Sequence, residues 1–198
     1  MRVKIIAFLA VAILILAACR EGFPSPGRLT ADPSAAIRLT YTEAETCTIQ
    51  AILTVDYGDR VTVFQVLYTG RRDGDDTVEI LAPAEVAGIR AVIGKEGSSL
   101  QYEGVSLETG NLPGAGIAPV EALGGVLSAL REGNQTAWGR EKFKSTPSVT
   151  LDFSSRIGDT EITRRLWMEE RTGLLLYAEV SADGRRVLSI EVETLFIT

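Results

Sequence analysis

The sequence predicts a mainly β protein, in which a curled antiparallel sheet of about ten or eleven strands forms an incomplete barrel with a helical plug. Three observations predict this fold class. Most of the chain after residue 46 alternates apolar and polar residues, which is typical of half-buried strands. Short turns rich in glycine and aspartate divide these segments, as in a meander. One segment, residues 119–131, instead spaces its apolar residues by three and four, which indicates a helix.

The first 40 residues precede the alternating pattern. Residues 1–18 combine Arg2 and Lys4 with an apolar run that ends in small residues, and this order is typical of a secretory signal. The apolar run is shorter than the about 20 residues that a membrane-spanning helix needs. Residues 19–40 contain three prolines and several small polar residues, so we expect a flexible tether, with a short helix near residues 33–39. Residues 41–198 are then one domain.

The strands of the first half are short and closely spaced. Gly58 and Asp59 separate two alternating runs, which indicates a hairpin. Glycine-containing turns then divide four shorter runs. The predicted strands are residues 46–57, 60–69, 77–81, 89–93, 99–102 and 105–108.

The helix and the second half follow. Pro119 suits a first helical turn and Gly133 suits a stop. Asp183-Gly184 is a strong hairpin signal between the last two strands. Because an open sheet of this width curls strongly, we expect the helix to cover its concave face. The predicted strands are residues 136–144, 148–156, 161–169, 174–181 and 185–194.

Composition removes several classes of function. The chain has no histidine, so Ser-His-Asp and Cys-His catalysis and histidine-based zinc sites are excluded. A net charge of −6 argues against nucleic acid as a partner. Cys47 lies on the apolar face of the first strand, which predicts a buried free thiol. Adjacent acids, such as Glu169-Glu170 and those of residues 73–76, are interpreted as solvated. We therefore predict no catalytic residue, metal or cofactor.

Four large aromatic residues on predicted strands are candidates for lining a cavity or a partner surface, although core packing is the simpler interpretation for the tryptophans. They are Trp138, Phe143, Phe153 and Trp167.

Several short motifs, in order, carry a family resemblance. Leu16-Ala17-Ala18-Cys19 resembles the lipobox of a bacterial lipoprotein signal, which implies lipidation of Cys19. Residues 78–89 and 100–105, the segment from Leu112-Pro113-Gly114 to residue 123, and residues 166–184 are similar to LolA/LolB-like lipoproteins. Within that group, the chain resembles most the GerS-type germination lipoproteins of spore-forming Gram-positive bacteria.

The resemblance implies an extracytoplasmic protein that is held to the cell or forespore membrane by the lipid on Cys19. It further implies a non-catalytic module that binds an N-acetylmuramoyl-L-alanine amidase acting on cortex peptidoglycan during germination. The alternative is a carrier that binds acyl chains of a lipid or lipoprotein in the concave face. Bulky side chains such as Phe196 filling that face would favour the module, and an open apolar hollow of several hundred cubic ångströms would favour the carrier. Open sheet edges would also allow a strand-exchanged homodimer.

Overall fold

The computed structural model describes residues 32–94, 97–110 and 118–198. The predicted signal sequence, the lipidation site Cys19 and the motif Leu112-Pro113-Gly114 lie outside these residues. The described part contains two helices and eleven strands. The helices are α1 (Ser34–Glu43) and α2 (Ala122–Glu132). The strands are β1 (Thr46–Asp56), β2 (Val61–Arg71), β3 (Asp76–Ala82), β4 (Arg90–Ile93), β5 (Ser98–Tyr102), β6 (Val105–Gly110), β7 (Asn134–Phe143), β8 (Thr146–Ile157), β9 (Thr160–Glu169), β10 (Leu175–Ala182) and β11 (Arg185–Ile197).

All eleven strands belong to one antiparallel sheet, with the order β6-β5-β4-β3-β2-β1-β11-β10-β9-β8-β7. Each strand pairs with the next strand of the chain except β6 with β7, and β1 pairs with β11 at the centre of the sheet. The two edge strands, β6 and β7, are consecutive strands, and α2 lies between them in the sequence. The sheet is therefore not closed, and the fold class predicted from the alternating pattern is confirmed.

The hairpin turns have the backbone conformations that their residues favour. Gly58 in the β1–β2 turn has φ +94°, in the left-handed region that glycine tolerates. In the β10–β11 turn, Asp183 and Gly184 both have positive φ, 48° and 77°. Two consecutive positive φ values are the requirement of a type I′ turn, and this confirms the Asp-Gly hairpin signal.

Helix α2 covers the concave face of the sheet. Its buried residues include Leu123, Leu127 and Leu130, and they join one core with the inward side chains of the strands. The helix begins at Ala122, later than the predicted start at Pro119, because the N–H of Glu121 bonds to the Ala118 carbonyl in a preceding turn. Within the described residues, no helix is sufficiently long and apolar to cross a membrane.

The end of α2 differs from the usual glycine stop. Gly133 has φ −65° and ψ 154°, an extended conformation that leads directly into β7. A Cβ atom at this position would lie 2.5 Å from the carbonyl oxygen of Ala129. Glycine is therefore required here by the close approach of the backbone rather than by a positive φ.

Helix α1 packs at the end of α2, and each helix contributes an arginine to the other. Arg38 of α1 donates hydrogen bonds from Nε to the carbonyl of Leu130 (2.9 Å) and from Nη2 to the carbonyl of Gly133 (3.0 Å). Arg131 of α2 donates from Nε to the carbonyl of Tyr41 (3.1 Å). Carbonyl groups at helix ends have no partner within the helix, so these contacts satisfy them.

Burial follows the period of two along the central strands. In β1, every second residue from Cys47 to Val55 is buried. Cys47 is a free cysteine within this row, as predicted. Burial raises the pKa of its thiol to about 12, so the group stays neutral and acts as a small apolar side chain.

Candidate ligand cavity

An open cavity of about 630 Å³ lies where α2 passes between the two halves of the sheet. One wall comes from β3, β4 and β5, the opposite wall from β7, β8 and β9, and α2 forms the side between them. We call this space the seam cavity, because residues from both halves of the sheet line it. Its lining residues are Asp76, Ile93, Gly94, Ser98, Glu121, Gly124, Gly125, Ser128, Ala129, Glu132, Gly133, Asn134, Phe153, Ser154, Ser155, Ile157 and Arg164.

The helix presents small residues to the seam cavity. Gly124, Gly125 and Ser128 lie on its side of α2, with Glu121 and Glu132 at the two ends. Residues three and four apart share one face of a helix, so this arrangement follows from the sequence spacing. A Cβ atom on Gly124 would be 3.4 Å from Oδ2 of Asp76, which is ordinary contact. Gly124 therefore lies close to β3, and the lack of side chains at Gly124 and Gly125 leaves room in the cavity.

The β3 wall is fixed by a hydrogen bond between two strands. The hydroxyl of Tyr68 on β2 donates to Oδ2 of Asp76 at 2.7 Å. The Tyr68 side chain lies across Gly70, where a Cβ atom would overlap the hydroxyl oxygen. Burial, and then the charge of Asp76, raise the pKa of Tyr68 above its ordinary value. Tyr68 is therefore a neutral donor that positions the Asp76 carboxylate.

The opposite wall combines apolar and cationic groups. Phe153 on β8 and Arg164 on β9 are register partners and face the interior. Arg164 is 6% exposed, and its Nη1 donates to Oγ of Ser155 at 3.1 Å. Burial lowers the pKa of this guanidinium, which remains charged at neutral pH because its ordinary pKa is so high. The guanidinium of Arg38 lies 5.6 Å from the centre of the Phe153 ring, a cation–π distance.

The structure separates the four aromatic residues predicted for a cavity or partner surface. Phe153 is buried and lines the seam cavity. Trp138 packs against the margin of the core, and Arg140 stacks on its ring at 5.4 Å. Phe143 and Trp167 lie away from the cavity. Trp167 lies between the buried Leu166 and Met168 in β9, so its side chain occupies the opposite face of the strand.

A cluster on the outer face contains these last two residues. The Phe143 ring stacks on Tyr177 with centroids 4.8 Å apart, and Trp167 lies 5.2 Å from Tyr177. The indole N–H of Trp167 donates to Glu141. Lys144 forms an ion pair of 2.5 Å with Glu191 of β11. Phe143 and Tyr177 stack face to face and Trp167 is tilted against them, so the cluster holds the β7–β8 turn against the outside of the sheet.

The sequence did not lead to the prediction that Arg164 and Asp76 line a cavity. Arg164 occurs in the run Ile162, Arg164, Leu166, Met168, whose other members are apolar and buried. The signal for Arg164 is a charged residue at a position of the strand where the alternation predicts a buried apolar side chain. Asp76 was interpreted as part of a solvated turn, and its partner Tyr68 is eight residues earlier on another strand.

Fold, curvature and cavity define an open, single-sheet β protein with a helix in its concavity. No family model matches the sequence, and no curated protein matches it. Among solved structures, an uncharacterized conserved protein from Thermus thermophilus is similar with a TM-score of 0.52 and 10% identity, over 84% of this chain and 88% of that chain. The Mycobacterium tuberculosis lipoprotein LppX has a TM-score of 0.46 and 12% identity, over 81% of this chain and 91% of that one.

A LolA superfamily protein from Nitrosomonas europaea, NE2245, has a TM-score of 0.44 and 8% identity, over 83% of this chain and 93% of its own. At such identities the likeness concerns the fold alone. The Thermus protein shows that this arrangement of sheet and helix occurs in a known structure. The finer resemblance to germination lipoproteins stays a prediction.

Proposed function

We propose that the protein is a non-catalytic carrier that binds the acyl chain of a lipid or lipoprotein in the seam cavity. The observation that carries this proposal is the cavity itself, about 630 Å³ in volume and open to one side. Pockets for small organic ligands have volumes of roughly 300–1,000 Å³ and mainly apolar walls. The volume supports the carrier, which was the alternative in the sequence analysis, over the module with a filled interior.

The chemistry of the walls is consistent with an acyl ligand. Ile93, Ala129, Phe153 and Ile157 come from three different elements and present apolar surface to the same space. An acyl chain in this position would contact aliphatic and aromatic carbon, and each CH₂ group that leaves water contributes about 0.8 kcal/mol. Of the bulky residues expected to fill the interior, Phe196 is instead 66% exposed.

The predicted location fits a carrier. Lipidation of Cys19 would hold the protein at the outer surface of a membrane, where acyl ligands are found. The residues between Cys19 and α1 would span at most some tens of ångströms when extended. A carrier held in this way would meet membrane lipids at a high effective concentration.

The test is to measure non-covalently bound lipid in the full-length protein after purification in a non-ionic detergent. Solvent extraction removes bound lipid but leaves the covalent lipid on Cys19, and mass spectrometry then quantifies the extract. Ser128→Trp places a large ring in the cavity from the exposed side of α2. The matched control is Thr42→Trp, at an exposed position of α1 outside the cavity.

We expect the wild type and Thr42→Trp to carry similar amounts of lipid, and Ser128→Trp to carry several-fold less. Equal amounts in all three proteins would mean that lipid adheres elsewhere, and this result would reject the carrier function. Absence of extractable lipid from the wild type would reject it as well.

A second candidate is the binding module that the resemblance implies, with an N-acetylmuramoyl-L-alanine amidase as its partner. The observation in its favour is the filled part of the concave face, where Tyr41, Tyr68 and the leucines of α2 are fully buried. Co-purification of the full-length protein with the amidase of its own organism tests this candidate. Recovery of the amidase with Ser128→Trp as well as with the wild type would support a partner surface outside the cavity.

A further inference from the structure

We infer that the concave face of β5 and β6 binds a second acyl chain, so that the ligand of the seam cavity is a lipid with two chains. This inference rests on the proposed carrier function and adds the class of lipid that the protein binds. The second chain would lie on four side chains of these two strands, which we call the edge strip. They are Leu100, Tyr102, Val105 and Leu107.

The register of the sheet places the edge strip on the concave side. One row of register partners crosses β3, β4, β5 and β6 and consists of Val78, Ala91, Leu100 and Leu107. Its first two members belong to the buried core, and register partners in neighbouring strands point to the same face of a sheet. Tyr102 and Val105 are register partners two residues further along the same strands, so they point to this face as well.

The edge strip continues one wall of the seam cavity. Ile93 and Ser98 are register partners on β4 and β5, and both line the cavity. Leu100 follows Ser98 by two residues, so its side chain points to the same face about 7 Å further along β5. An apolar surface therefore extends from the cavity wall to the turn between β5 and β6.

The edge strip is exposed although its side chains are apolar. Along the row from the core to the edge of the sheet, exposure rises from 1% at Ala91 to 63% at Leu107, and Val105 is 69% exposed. Edge strands are usually protected by charged side chains. The charged residue of β6, Glu108, is the register partner of Ser99 and belongs to the other face. The concave side of β6 therefore presents an uncharged apolar surface beside the cavity, as a binding surface for an acyl chain requires.

The volume of the seam cavity indicates that one chain fills it. A methylene group is about as large as a water molecule, whose share of liquid volume is about 30 Å³. The cavity of about 630 Å³ therefore accommodates about 20 such groups, which corresponds to one long acyl chain. A second chain of the same lipid needs another apolar surface within reach, and the edge strip lies directly beside the cavity.

The experiment is photo-crosslinking with two lipids that share a phosphocholine head group. The one-chain probe is a lysophosphatidylcholine whose chain carries a diazirine group, and the two-chain probe is a phosphatidylcholine with a diazirine group on each chain. The full-length protein in non-ionic detergent is irradiated with each probe, and tandem mass spectrometry identifies the labelled residues. Leu107→Gln makes the edge strip polar. Val61→Gln is the matched control, because Val61 is also 63% exposed but lies on the outer face of β2.

We expect the one-chain probe to label the seam cavity, at residues such as Ile93 and Ile157, because the cavity surrounds a chain on more sides than the edge strip does. The two-chain probe should label the cavity and also Tyr102 and Val105 of the edge strip. Each methylene group that leaves water raises affinity by about fourfold, or by about twofold where only one side of the chain is covered. Leu107→Gln should therefore reduce labelling of the edge strip several-fold, and Val61→Gln should leave it unchanged.

The comparison of the two probes on the wild type needs no variant, so the inference stays testable if Leu107→Gln does not fold. Labelling of the cavity alone by the two-chain probe would overturn the inference and leave the carrier function intact. Equal labelling of the edge strip by both probes, or unchanged labelling of it in Leu107→Gln, would overturn the inference as well. If neither probe labels the cavity, the carrier function itself fails.

Discussion

Removal of the Arg38 side chain should destabilise the junction of the two helices. Arg38 donates two well-formed hydrogen bonds to carbonyl groups at the end of α2, at 2.9 Å to Leu130 and 3.0 Å to Gly133. A third contact, to the carbonyl of Arg131, is at the limiting distance of 3.5 Å and contributes little. In Arg38→Ala these carbonyl groups lose a charged donor that also opposes the negative end of the helix dipole.

The expected loss can be worked from these contacts. A hydrogen bond to a charged group contributes about 1.5–3 kcal/mol, and the helix dipole adds about 0.3–1 kcal/mol. Arg38 is only half-buried, so water replaces part of what is lost and the lower values apply. Two bonds then give about 2–4 kcal/mol. For a chain of this size, each kcal/mol corresponds to about 2–4 °C in Tm, so Tm should fall by about 5–15 °C.

Thermal unfolding followed by circular dichroism measures this change on the purified protein. Arg38→Lys keeps the charge but lacks the planar fork, so it should recover only part of the loss. Arg156→Ala removes an exposed arginine and should leave Tm within about 1–2 °C of the wild type. If Arg38→Ala and Arg156→Ala have the same Tm, the contacts at the end of α2 do not stabilise the fold and the reasoning is refuted.

Three further predictions concern the core and the cavity wall. Tyr68→Phe removes the donor to Asp76 and should lower the free energy of unfolding in urea by about 1–3 kcal/mol; an unchanged midpoint would show that water satisfies the carboxylate equally well. Burial raises the pKa of Cys47 from 9.0 to about 12, so above pH 9 the unfolded thiol ionises first and stability falls until about pH 12. Cys47→Ala should flatten this fall by up to about 1.4 kcal/mol per pH unit in urea titrations between about pH 8 and about 11, and an identical slope in both proteins would contradict the burial argument. Gly133→Ala places a methyl group 2.5 Å from a backbone oxygen and should cost about 1–3 kcal/mol, whereas Gly97→Ala, with open space around it, should be nearly neutral; equal midpoints for the two would be inconsistent with this packing.

Most of the fold could be predicted from the sequence because the signals are local. The run from Cys47 to Val55 alternates without interruption, and the turn at Asp183-Gly184 needs two positive φ values that this pair readily adopts. Each predicted strand overlaps one observed strand, with ends that differ by a few residues. The pairing of β1 with β11 is non-local, and no turn sequence specifies it.

The cavity was harder to predict because its residues come from distant parts of the chain. Asp76 and Arg164 share a space only after the two halves of the sheet curve around α2. The placement of Trp167 on the outer face could have been read from its phase, which is opposite to that of Leu166 and Met168. Aromatic character alone does not show that Phe153 faces the core and Trp167 faces the outside of the sheet. The alternation of side chains along each strand does show it.

The central pairing joins β1, the first strand of the sheet to be synthesised, to β11, the last strand. Each half of the sheet is a run of neighbouring strands that can form as soon as it is synthesised, but the halves join only when residues 185–197 are available. A chain of this kind would stay in two unjoined pieces until residues 185–197 have been synthesised. Loss of residues 185–197 would divide the sheet at its centre, whereas loss of β6 or β7 would remove only an edge strand.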